Sequence, residues 1–350
     1  MTIQLQKIWD HLDSLTKPPR SLGRLELLAA RLCEIQQTLT PATTPRRLVL
    51  FAADHGVVAA GVSAWPARVT GQMVNNIRAG GAASTVLARQ TRTEVVLIDV
   101  GTAGDDGTDN ATPGGRSDGC RFQQRRVRTG TRDLSREPAL SPGEFEAAVE
   151  IGRNEAHAAA RDGMRVVVAG EMGIGNTTPS ACLAMLLADI PLHAAVGRGA
   201  GADDDTFSRK CQIVEEAVGR ARTRMADDWI ASAASVCGLE ISAMAGFFVA
   251  AHSAALTIIL DGYVASAAAL IAERLQPGTA RSMIAAHGSA EPGHRFVLEH
   301  LGLAPFLDWQ MRLGEGTGAL LLLPMLDAAS AIVCQMATFQ DAGIAARGCP

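Results

Sequence analysis

At 350 residues and 36.6 kDa, the chain has room for one large domain or two ordinary ones. Its 47% hydrophobic and 19% charged residues suit a globular protein with a substantial buried core. A net charge of −4 and 4% aromatic residues, with a single tyrosine, exclude the basic face and the stacking platforms of nucleic-acid binders.

Along the chain, residues 1–40 read as helical. Their first fifteen carry acids and lack the apolar stretch of a signal peptide. Arg47–Ala53 and Glu94–Val100 are continuous apolar runs, as expected of strands covered on both faces. Between 101 and 132 lies a stretch rich in Gly, Asp and Arg, read either as a long loop or as an excursion contacting a second subunit. Pro142–Asp162 is helical, with a capping box in Ser141-Pro142-Gly143-Glu144. Further strands are expected at Arg165–Ala169, Leu256–Leu260 and Arg281–Ala286, and further helices at Pro179–Leu187, Thr206–Met225 and Tyr263–Leu275. The apolar stretch from Leu239 to Leu260 contains Glu240 and His252, which are costly inside a bilayer. It is therefore expected to be a buried Ala-rich helix followed by a strand. From Ala304 to Ala342 the chain again reads as helical, without a strand.

This alternation predicts a three-layer, Rossmann-like α/β fold with a mainly parallel sheet. Residues 41–303 would form the large domain carrying the site. Residues 1–40 and 304–345 would form a small helical lobe. The seven scattered cysteines lack a C-x-x-C pattern, so they fit reduced cytosolic thiols and a cytoplasmic location.

Ligands of open parallel sheets bind beyond the C-terminal strand ends. The residues there are Asp54-His55-Gly56, Asp99–Thr102, Gly170–Thr178, Asp261-Gly262 and His287–Glu291. Gly170–Thr178 has the spacing of a phosphate-binding loop, but Asn176 stands where the lysine belongs, which argues against triphosphate hydrolysis. It is either an anion-receiving turn at a helix start or a tight turn capped by Thr178. Glu171 inside it favours a ligand. Gly197–Gly201, followed by Asp203-Asp204-Asp205, is either a capped helix start or, through Arg198 and Lys210, a monophosphate site. Glu315 lies between Gly314 and Gly316 at a helix start. By itself it would be a cap, but the glycines point to a close approach. The histidines show no metal-ligand spacing and fit satisfied core or cap positions.

Taken together, Leu15–Glu26 (LTKPPRSLGRLE), Ala53–Thr70, Gly170–Pro179 (GEMGIGNTTP), Gly199–Lys210, Leu256–Ser266, Ser289–His294 and Met311–Ala319 (MRLGEGTGA) resemble the nicotinate-nucleotide:dimethylbenzimidazole phosphoribosyltransferases over about residues 10–340. The resemblance implies transfer of the 5-phosphoribosyl group from nicotinate mononucleotide to 5,6-dimethylbenzimidazole. The products are α-ribazole 5′-phosphate and nicotinate, with inversion at the anomeric carbon. It implies Glu315 as the catalytic base and Glu171 as a second carboxylate of the site. Gly173, Gly175, Asn176 and Thr177 would line the nucleotide pocket, with Gly201, Lys210 and Ser289 as ribose-phosphate contacts. Trp65, Met73 and Leu313 would line the acceptor-base pocket. No cofactor or metal is implied, and a homodimer is. The chain departs from the family pattern at Trp65, at His287-Gly288 before Ser289, and at Cys237-Gly238. Two other classes compete. A nucleotide-dependent oxidoreductase would need a glycine fingerprint after Ala53, where only Gly56 stands, and a non-catalytic nucleotide-binding protein would have no use for Glu315.

Overall fold

The computed structural model describes residues 3–104, 120–199 and 201–345. Its strands are β1 (Arg46–Ala53), β2 (Glu94–Gly101), β3 (Arg121–Gln124), β4 (Val166–Met172), β5 (Thr257–Leu260), β6 (Met283–Ala285), β7 (His287–Ser289) and β8 (Leu307–Met311). Its helices are α1 (Leu5–Ser14), α2 (Arg24–Gln36), α3 (Val69–Arg78), α4 (Ala83–Gln90), α5 (Pro142–Arg161), α6 (Thr177–Leu187), α7 (Leu192–Ala195), α8 (Asp204–Arg222), α9 (Trp229–Ser235), α10 (Leu239–Ser253), α11 (Tyr263–Leu275), α12 (Pro292–His300) and α13 (Thr317–Gln335).

Six strands form one parallel sheet in the order β3-β2-β1-β4-β5-β6. The chain turns outward on both sides of β1 and β4, which makes a doubly wound α/β fold with the switch point between those two strands. Successive side chains of a strand point to opposite faces, so each apolar run feeds two cores. Val49 and Phe51 of β1, Val96 and Ile98 of β2, and Val167 of β4 join the core under α5, α6, α10 and α11. Leu48 and Leu50, Val95 and Leu97, and Val166 and Val168 join the core under α1, α2 and α13. That is why the runs are continuous rather than alternating.

The two chain ends meet on this second face. Leu15 forms an antiparallel bridge with Thr338, and α2 packs along α13. On the first face α5 and α10 cross at backbone distance. A Cβ on Gly152 would fall on the Ala243 carbonyl, and one on Gly246 on the Val149 carbonyl. The Ser141 capping box is present at the start of α5, with both hydrogen bonds formed.

Three segments differ from expectation. Residues 307–311, expected within a helical stretch, are β8, which pairs in parallel with β7 in a separate two-stranded sheet. Asp308, Trp309 and Gln310 are solvent-facing, so the strand shows no apolar pattern. The fifth expected strand, from Arg281, begins as a single 3-10 turn (Thr279–Ser282) and extends only over Met283–Ala285. The Gly/Asp/Arg-rich stretch contains β3, a parallel edge strand on β2, while residues 105–119 lie outside the described part. Leu239–Ser253 is a buried helix, as expected. The one described helix with the length and apolarity of a membrane span is α13, whose Leu320, Leu322, Leu323, Leu326 and Val333 are packed in the second core.

Candidate active site

Two adjoining recesses open at the C-terminal edge of the sheet, beside the switch point. One has an empty volume of about 410 Å³ and is lined by Glu171, Asp261, His287, Ser289 and Gly314 among others. The other, of about 680 Å³, is lined by Trp65, Gly173, Gly175, Arg198 and Lys210 among others. Glu171, Asn176, Thr177, Glu291, Arg312 and Leu313 line both.

The turn after β4 is built around close contacts. Gly173 lies against the Ala53 carbonyl and the His55 ring, where a Cβ would not fit. Gly175 has φ +93° and reverses the chain into α6. Asn176 is the residue that flanks the helix start, while Thr178 is buried and makes no cap. The Asn176 amide instead donates to the Glu171 carboxylate. Lys210 reaches in from α8, where it is almost fully buried. Its Nζ donates to Thr177 Oγ1 at 2.8 Å and to the Gly197 carbonyl at 2.9 Å. Burial lowers its pKa despite the nearby Glu291 carboxylate. Asp203 caps α8 by accepting from the Thr206 backbone at 2.8 Å, so the helix-start alternative for that segment also holds.

Glu315 sits in a run of three positive-φ residues, Gly314 (+87°), Glu315 (+58°) and Gly316 (+73°), ahead of α13. A side chain at positive φ is strained, and such strain gathers at functional sites. The Asp261 carboxylate, at the end of β5, holds the turn by accepting from Gly316 N at 3.1 Å and Ala319 N at 3.0 Å. The Glu315 carboxylate is buried and accepts from Ser84 Oγ at 2.7 Å. A Cβ on Gly314 would strike Glu171 Oε1, so the turn that carries Glu315 packs directly on the Glu171 side chain.

Burial raises the pKa of both. For Glu171 the rise is large, and the charges of Glu240, Asp261 and Glu315 add to it, while the Asn176 amide opposes it. For Glu315 the Ser84 hydrogen bonds oppose the rise. The buried histidines are only partly the satisfied core groups expected, since Nδ1 of His55 and of His287 has no hydrogen-bond partner. His55 pairs with Glu240 at 2.7 Å, and His294 accepts from Ser289 N at 2.8 Å. Burial pulls the His294 pKa down to about 3.

Of the residues singled out in the sequence, Glu171, Gly173, Gly175, Asn176, Thr177, Lys210, Ser289, Trp65 and Leu313 line the recesses. Glu315 is buried and lines neither recess, although its neighbour Gly314 lines one. Gly201 is exposed and lines neither recess. Met73, on α3, is half-buried against the second core and also lines neither. Ser84, Glu291 and Arg312 were not singled out. Ser84 and Glu315 are 231 positions apart, and nothing local to Ser84 announces the contact.

A parallel α/β sheet with a glycine turn, a deep lysine and buried carboxylates beside its switch point fits an enzyme that handles a nucleotide. The family described as phosphoribosyltransferase matches residues 3–344. The chain is 44% identical to the nicotinate-nucleotide--dimethylbenzimidazole phosphoribosyltransferase of Thermus thermophilus, covering 95% of this chain and 96% of that one. It is 41% identical to the enzyme of the same name from Geobacter sulfurreducens, covering 95% and 92%. The crystal structure of CobT from Thermus thermophilus matches with a TM-score of 0.90 at 43% identity, over 98% of this chain and 99% of that one. The chain belongs to this phosphoribosyltransferase family.

Proposed function

We propose that the protein transfers the 5-phosphoribosyl group of nicotinate mononucleotide to 5,6-dimethylbenzimidazole or a related base. The products are α-ribazole 5′-phosphate and nicotinate, for assembly of the cobalamin nucleotide loop. The observation that carries this reading is the buried Glu315 carboxylate, set at positive φ in the turn that packs on Glu171 and held by Ser84. The donor ring departs from a cationic pyridinium and needs no proton. The attacking benzimidazole uses one ring nitrogen and must lose the proton on the other. Ser84 Oγ holds Glu315 Oε2 in place, and the Glu315 carboxylate takes that proton. Burial raises the basicity of the carboxylate for this task.

Glu171 stabilises positive charge. Burial and the neighbouring carboxylates raise its pKa, a cationic donor ring opposes that rise, and the carboxylate then stands opposite the charge that develops on the ribose. Lys210, Thr177, Ser289 and the Gly173–Asn176 turn hold the ribose phosphate. Trp65 and Leu313 supply the apolar wall for the acceptor, and Gly201 and Met73, which line neither recess, are given no role. Residues 1–40 and 304–345 act as the small lobe, and the protein works as a cytoplasmic homodimer.

The test is an assay of purified protein with both substrates, following nicotinate release by chromatography, with Glu315→Gln alongside. Production of α-ribazole phosphate by the wild type and a loss of at least about 10²-fold in the variant are expected. No nicotinate release with this base, or with a panel of purines and phenols, would sink the proposal.

A further inference from the structure

The donor of the proposed reaction is anionic at both ends, with a phosphate on the ribose and a carboxylate on the leaving ring. Three cationic side chains line the recesses. Lys210 is deep, almost fully buried, and next to the anion-receiving turn. Arg198 is committed, since its guanidinium donates to the Ala202 carbonyl at 2.9 Å and to the Asp204 carboxylate and lies over the Phe207 ring. Arg312 is different. It is exposed, lines both recesses, and makes no hydrogen bond or ion pair among the described residues, its charge acting only on the nearby Glu291 carboxylate.

Arg312 directly follows β8 and stands three positions before Glu315. A donor with its phosphate at Lys210 and its ring at Arg312 would pass Glu171 and Glu291, which line both recesses between those cations. The pyridinium charge would then face carboxylates, and the leaving ring would lie on the solvent side, free to depart. A guanidinium presents two parallel N–H groups in a plane and matches a carboxylate in bidentate fashion, which a neutral amide cannot reproduce.

We propose that Arg312 is a specificity-determining residue that binds the carboxylate of the donor ring and selects the ring acid over the ring amide. This rests on the donor named under the proposed function.

The test is calorimetric titration of the purified full chain with nicotinate mononucleotide and, separately, nicotinamide mononucleotide, for wild type, Arg312→Met and Arg312→Lys. A charge-assisted bond of this kind corresponds to a preference of about 10- to 100-fold for the acid in the wild type. Arg312→Met is expected to bind both nucleotides alike, and Arg312→Lys to recover part of the preference. Thermal melting of each variant reports whether the fold is intact, which the exposed position favours. The inference is overturned if the wild type shows no preference, if Arg312→Met keeps it, or if the variant weakens both nucleotides by the same factor. The last result would put the guanidinium on the shared phosphate. A wild type that prefers the acid in titration yet releases no nicotinate in the transfer assay would count against the reaction and leave the role of Arg312 standing.

Discussion

At Glu315 the backbone and the side chain are held by different parts of the chain. Asp261 fixes the turn and Ser84 fixes the carboxylate. The Ser84 hydroxyl favours the charged form of Glu315, so its removal leaves burial unopposed and raises the pKa further. The base proposed above works when deprotonated, so activity is expected to rise with pH through this pKa. Ser84→Ala should therefore move the acid limb of the kcat/KM profile to higher pH, with rates converging toward wild type above it. A uniform loss with an unmoved limb would mean that Ser84 only fills space. Gly316→Ala should be worse tolerated than its size implies, because φ is +73° and a Cβ would meet Leu48. Circular dichroism melts would show the destabilisation.

Among the elements, the continuous apolar strands and the amphipathic helices were legible because each is written in local periodicity. β8 was not, since Asp308, Trp309 and Gln310 at its centre all face solvent and it pairs only with β7. β3 was hidden in a polar stretch for a similar reason, as an edge strand with one partner. In the site, Glu171 and Glu315 stood out through their glycines, whereas Ser84 is an ordinary helix residue until the fold brings Glu315 to it. The capping box of α5 was legible and has a consequence for stability. Hydrogen bonds from Arg132, with Ser141 and Arg128 adding, lower the Glu144 pKa to about 2. The unfolded value is about 4.3. The contribution is therefore full above that pH and is lost as pH falls toward 2. Glu144→Gln should melt lower than wild type at pH 7, with the difference closing in acid. Where α5 and α10 cross, Gly246→Ala should cost at least about 3 kcal/mol, because backbone rather than a flexible side chain blocks the added methyl.

For the molecule as a whole, the second core is assembled from both ends of the chain. Ile8, Leu12, Leu15, Leu28 and Leu32 are all but completely buried there against the sheet and α13. At about 1.5–3 kcal/mol each, these five side chains contribute roughly 8–15 kcal/mol, the size of a typical net stability. Deleting residues 1–36 should leave a chain without a cooperative melt, eluting as aggregate on size exclusion. A folded, soluble truncation would show that the large domain stands alone. The Asp261 carboxylate reaches across 55 residues to Gly316, and this has a consequence for biosynthesis. On the ribosome the sheet strands emerge first, and the base-bearing turn takes its shape only after α13 has left the exit tunnel and docked. A chain stalled before residue 317 would hold a nucleotide pocket with no ordered base. Two fragments divided in the loop before β8 would regain turnover only once the second had seated its helix against the first.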